Sequence, residues 1–178
     1  LRPNQLFAIT LGALLNRPSS LVPRISNDER RKTNDEIAMR VLQACECLLV
    51  PGAMRSLADR PVTYPLPIER NGCLLNDPSN PYWGHYLGDE DTRRKPAYHN
   101  GTAWVWPFFT YIEALLIVHG DAAKPTAQAY LGSVADLFNH GAVGHLPEIL
   151  DGNAPHAQRG CLAQAWSLSE YLRVMALM

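Results

Sequence analysis

Apolar and polar positions along the chain follow helical periods far more than strand alternation, and they form two kinds of segment. From about Asn34 to Leu49, Ile37, Val41, Cys45 and Leu48 share one stripe while Asp35, Arg40 and Glu46 lie elsewhere, and Thr33 and Glu36 have capping-box spacing. From about Pro125 to Asn139, Pro125 suits a first helical turn, and Ala127, Tyr130, Leu131, Val134, Leu137 and Phe138 fall on one face. Both patterns predict helices with one wet side. Three other segments, about Gln5 to Leu15, Thr102 to Val118 and Ala163 to Leu177, are apolar on nearly all sides, which predicts helices buried all round.

In chain order these segments read buried, amphipathic, buried, amphipathic, buried. A double ring of helices produces this order as the chain steps between inner and outer layers, and a simple bundle gives it less readily. The expected class is all-α, with residues 1–178 as a single domain. The longest connection, about Val50 to Asn100, exceeds what helix packing requires, and its Tyr64, Tyr82, Trp83 and Tyr86 predict an ordered, functional loop. There is no internal repeat and no low-complexity tract.

Composition narrows the partners. A net charge of -1, a pI near 6.6 and 19% charged residues leave no broad basic field, so nucleic acid is not an expected partner. The four cysteines contain no CxxC pair, and Cys45 and Cys47 point different ways on a helix, which predicts reduced thiols in a cytoplasmic protein. The longest apolar run, "AWVWPFFTYIEALLIV", is short for a membrane span and carries Glu113, so no membrane association is expected. The N-terminus lacks the cleavage site of a signal peptide. With no initiator Met and a first residue that leads almost at once into helix, it is expected to be a cut from a longer chain.

Polar and aromatic clusters fall at the starts of the three apolar helices: "RPNQ" (Arg2 to Gln5), "AYHNGTAWVW" (Ala97 to Trp106), and the Glu148 loop with "QAWS" (Gln164 to Ser167). If alternate helices are parallel, the clusters converge on one rim, where aromatic faces and hydrogen-bonding edges suit a sugar. Each piece also has a plain reading. Arg2 and Asn4 brace a helix as readily as they bind, Trp104, Trp106 and Trp166 fill cores, and His99 beside "NGT" serves a turn.

Other chemistries find less support. His140, His145 and Glu148 have no recognised ligand spacing and sit among Gly141, Gly144 and Pro147, so no metal site is expected. There is no G-x-S-x-G elbow and no nucleophile signature around a cysteine. Asp89, Glu90 and Asp91, followed by Arg93, Arg94 and Lys95, read as a solvated, mutually paired run. Glu148 stands apart between Pro147 and Ile149 next to the expected rim, whereas Asp151 before Gly152 reads as a turn former bonding to nearby amides.

"RPNQLFAIT", "LLVPGAMRSL", "AYHNGTAWVWPF" and above all "PEILDGNAPHAQRGCLAQAWSLSEYLR" resemble the C-terminal catalytic part of glycogen debranching enzymes, the amylo-alpha-1,6-glucosidase family, in order from Arg2 to Arg173. The resemblance implies the C-terminal portion of an (α/α)6 toroid, with inner helices around a sugar pocket and no cofactor. It also implies hydrolysis of α-1,6-glucosyl stubs in glycogen or a related α-glucan, with inversion. An inverting glycosidase uses one carboxylic acid on the leaving oxygen and one carboxylate on water, roughly 6.5 to 9.5 Å apart. Carried over by position, Glu148 is the general base, and the general acid belongs upstream of Leu1, in a missing N-terminal part of the catalytic domain. Arg2, Asn4, His99, Trp104, Trp106, Gln164 and Trp166 are expected to bind the sugar.

Two positions depart from the family pattern, in which Gln is commoner than Asn100 and Asp commoner than Asn153. They bear on the substrate rather than on the reaction class. Two other functions stay open on the sequence: a related toroid glycosidase acting on trehalose, a short maltooligosaccharide or another small glucoside, and a non-catalytic carbohydrate-binding module.

Overall fold

In the computed structural model, which describes residues 1–12 and 27–178, the chain opens with a 3-10 turn, Pro3–Leu6, that runs into a short helix, α1 (Phe7–Thr10). A long helix, α2 (Asn27–Glu46), leads to a tight hairpin of β1 (Leu49–Val50) and β2 (Ala53–Arg55). The hairpin turns on Pro51 and Gly52; Gly52, at φ 72°, takes the left-handed conformation that such a turn asks of its second central residue. The long connection carries a second small hairpin, β3 (Glu69–Arg70) with β4 (Cys73–Leu74), and ends in a π-helical turn, Glu90–Arg94, running into α3 (Lys95–Tyr98).

After β5 (Ala103–Trp104) comes α4 (Trp106–His119), which has Pro107 in its first turn and is stopped by Gly120 at φ 59°. A 3-10 turn leads to α5 (Lys124–Gly132) and α6 (Ala135–Phe138), and the chain finishes with β6 (Ile149–Leu150), β7 (Gln158–Arg159) and α7 (Ala165–Met175).

The core is built on α4. Phe108, Phe109, Tyr111 and Ile112 are fully buried there, and α1, α2, α5, α7 and β2 pack around it. The fold is therefore mainly helical, and the all-α expectation needs correction. An antiparallel sheet in the order β1-β2-β5-β6-β7 closes one end, pairing Met54 with Trp104, Trp104 with Ile149, and Ile149 with Arg159. Each strand has only two or three residues, too few for alternation to appear, and Ala53, Ala103 and Leu150 are buried, so nothing in their local pattern marks a strand.

The helices depart from expectation in register and burial. α2 begins at Asn27, so Thr33 lies within the helix rather than capping it. Its buried stripe runs through Ala38, Leu42 and Cys45, while Ile37 is 40% exposed. The segment expected as one helix from Pro125 is split at Ser133, whose hydroxyl donates back to the Tyr130 carbonyl (2.7 Å), yet its apolar face does pack into the core. α7 is not buried all round: Ser167 and Val174 are buried, whereas Trp166 and Leu172 are 51% and 58% exposed. Ala13 to Leu15, the end of the first expected helix, lie outside the described residues. No helix among the described residues is long and apolar enough to cross a membrane.

Candidate functional site

The N-terminal turn is docked by Arg2. Its Nη1 donates to the carbonyls of Ser56 (3.2 Å) and His99, and its Nη2 to Asn100 Oδ1 (2.8 Å), while Asn100 Nδ2 donates to the Pro96 carbonyl (2.8 Å). One guanidinium thus ties the first turn to the His99–Asn100 turn and to the end of β2. Asn4, two residues on, is exposed at the edge of the same turn.

Aromatic rings build the facing wall. His99 stacks on Trp104 (centroids 5.4 Å, 7° between planes), and Trp104 Nε1 donates to the Tyr98 carbonyl (2.9 Å). Trp106 lies between Phe7 (5.9 Å, 21°) and Trp166 (4.1 Å, 10°), a continuous stack from α1 across α4 to α7. Arg2, Asn4, His99, Trp104 and Trp106 line one cavity of about 300 Å³, floored by Leu6, Phe7, Pro107 and Thr110. A second cleft of about 300 Å³ shares Phe7, Trp106 and Thr110 and adds Trp166. On its rim Arg173 Nη2 donates to Glu113 (2.7 Å) and to Glu170 (2.8 Å). Trp106 borders both spaces, while its Nε1 is buried with no hydrogen-bond partner among the described residues.

Glu148 precedes β6 and is partly exposed. Its backbone is paired on both sides: Val105 N–H donates to its carbonyl (3.2 Å), and its own N–H donates to the Cys161 carbonyl (2.8 Å). The carboxylate is held at both oxygens, Oε1 by the Tyr98 hydroxyl and Oε2 by the Cys161 N–H (3.0 Å). Gly160, at φ 65°, makes this possible, because a Cβ there would fall against Glu148 Oε2. Glu148 does not line the cavity itself. It stands beside the wall through Tyr98, whose ring packs edge-on against His99 (4.8 Å) and Trp104 (4.6 Å). Burial, and then the bond to Glu148, push the Tyr98 phenol above the ordinary tyrosine value, so the phenol is the donor and the carboxylate the acceptor. Burial against its neighbours, then the charge of Arg2, push His99 below the ordinary histidine value, against an opposing pull from Glu148.

Five of the eight expected site residues therefore share one cavity, Trp166 borders the adjoining cleft, and Glu148 lies next to the wall. Gln164 is placed differently: Ser167 Oγ donates to the Pro147 carbonyl (2.9 Å) and pairs with the Gln164 side-chain amide (2.7 Å), so Gln164 braces the Glu148 loop from behind the start of α7. Asp151 is not a local turn former. It is 3% exposed; Oδ1 accepts from the Tyr86 N–H (2.7 Å), across 65 residues of chain, and Oδ2 from Arg159 Nε (3.0 Å) and Nη2 (2.8 Å). Among the described residues no group of three or more His, Cys, Asp or Glu side chains is arranged to hold a metal ion. His140 instead pairs with the Asp136 carbonyl (2.8 Å).

Tyr98, Phe7, Ser56 and Thr110 were not singled out from the sequence. Tyr98 alone had a signal there, standing directly before His99 in "AYHNGTAW". The Glu148 carboxylate, held by two donors and partly exposed, thus stands beside a cavity of flat rings and fixed polar groups.

The sequence matches the family model described as amylo-alpha-1,6-glucosidase over residues 1–173, and the chain belongs to that family. The family is one of glycosidases of the debranching type. No curated protein matches the chain.

Proposed function

We propose that this chain forms the base-bearing side of an inverting α-1,6-glucosidase site, in which Glu148 removes a proton from the water that attacks the anomeric carbon of a glucosyl stub. The observation that carries the reading is the Glu148 carboxylate, held by Tyr98 and the Cys161 N–H beside the cavity of Arg2, Asn4, His99, Trp104 and Trp106. An ionised carboxylate offers about four acceptor positions, of which two are filled here, leaving room for a water proton. The indole rings supply flat apolar faces for a pyranose.

The second carboxyl group of such a mechanism must protonate the leaving oxygen from across the sugar, roughly 6.5 to 9.5 Å from the base. Glu113 and Glu170, the carboxylates of the adjoining cleft, are both engaged by Arg173, which leaves neither free to serve as a proton donor. The acid is assigned to a further part of the catalytic domain, which would complete the helical toroid that family membership implies. All four cysteines are free thiols, which supports a reducing, cytoplasmic setting.

The test is Glu148→Gln in the full-length protein, assayed by glucose release from a branched limit dextrin and from linear maltooligosaccharides. The expected result is a loss of roughly 100- to 10,000-fold in kcat with dextrin binding retained, the range of general-base contributions. Unchanged turnover would sink the base assignment, and equal glucose release by the parent enzyme from linear chains would sink the branch-stub assignment.

A further inference from the structure

We propose that Tyr98 is the positioning residue of the candidate base: by donating its hydroxyl to Glu148 Oε1 while the Cys161 N–H holds Oε2, it sets the plane in which the carboxylate meets its water. The proposal rests on the reading of Glu148 as the general base.

Tyr98 is built to hold still. It ends α3, and its carbonyl accepts from both Thr102 Oγ1 (2.7 Å) and Trp104 Nε1 (2.9 Å), which locks the backbone. Its ring is gripped by Tyr86 (5.8 Å), His99 (4.8 Å) and Trp104 (4.6 Å), so the phenol cannot swing away from Glu148 without repacking three neighbours. A donor on so fixed a ring removes rotational freedom from the carboxylate, which a solvent water in its place would leave. The same ring touches two residues that line the cavity, so pressure of a ligand on His99 or Trp104 bears directly on the group that aims the base.

Tyr98 keeps its proton throughout; the proton that moves comes from water to Glu148. Loss of the phenol hydroxyl takes away the donor that fixes Oε1 and leaves the carboxylate held at Oε2 alone.

Tyr98→Phe in the full-length protein keeps the ring and removes only the hydroxyl. With branched limit dextrin as substrate, kcat is expected to fall roughly 10- to 100-fold, the size of a lost hydrogen bond to a charged group. KM should stay within about threefold, the pattern of an interaction that matters in the transition state rather than in binding. A ring that only fills space would leave kcat where it is, and an unchanged kcat in the Phe variant, or a KM raised as much as kcat falls, overturns the proposal. Glu148→Gln is assayed alongside. If it keeps full turnover, the base reading fails and takes this one with it; if it is inactive while Tyr98→Phe is fully active, the positioning role alone is lost.

Discussion

At Gly160 the backbone turns through φ 65°, and a Cβ placed there would meet Glu148 Oε2 and lie 3.0 Å from Ile149 Cγ1. One hydrogen atom therefore serves as side chain at the point where the chain passes the candidate base. Gly160→Ala is expected to cost about 1–3 kcal/mol, from the left-handed backbone and the displaced carboxylate. It should lower kcat more than it raises KM, with denaturant unfolding and steady-state kinetics as the two measurements. The sequence sets Glu148 between a proline and two apolar residues, and its carboxylate is held by the Tyr98 hydroxyl and the Cys161 N–H. Asp151 could not be read correctly, since its acceptor geometry serves an N–H across 65 residues of chain and a guanidinium on the next strand. Local spacing contains neither.

That same carboxylate joins elements. It fastens the β6–β7 hairpin, through Arg159, to the loop segment at Tyr86, and so holds the long connection against the sheet that carries Trp104. Asp151→Ala leaves the Tyr86 N–H and the partly buried Arg159 without their acceptor, and a loss of about 2–4 kcal/mol is expected from stranding them. Urea unfolding measures it, and a change below about 0.5 kcal/mol, the size of an ordinary surface substitution, would show that the clamp is not structural. The helix that carries the core, α4, was legible because its apolar residues run on over several turns, as at Phe108, Phe109 and Ile112. The strands were not, because two-residue pairings such as Ala103 with Leu150 are made by chain segments far apart in sequence.

Over the whole molecule, apolar groups are left open on helices that both pack on α4: Leu11, just past α1, is 73% exposed, and Trp166, Leu172 and Met175 of α7 are between 46% and 58% exposed. This surface agrees with the proposal that further helices of the catalytic domain cover α1 and α7 and bring the second carboxyl group. The isolated 178-residue chain is accordingly expected to bind a hydrophobic dye and to release no glucose from branched limit dextrin. Glucose release at the rate of the full-length protein would overturn the proposal.

Helix content and the family were readable along the chain, because each rests on periodicity or on contiguous motifs. The convergence of Arg2, His99 and Trp106 was an inference from helix starts, conditional on the helices running parallel. The sheet, the grip of Tyr98 on Glu148, the brace from Gln164 and the clamp at Asp151 came from the folded chain alone. Each of these joins groups on separate elements, and short strands, rotamers and hydrogen-bond partners are chosen by packing in three dimensions, which a local pattern does not encode.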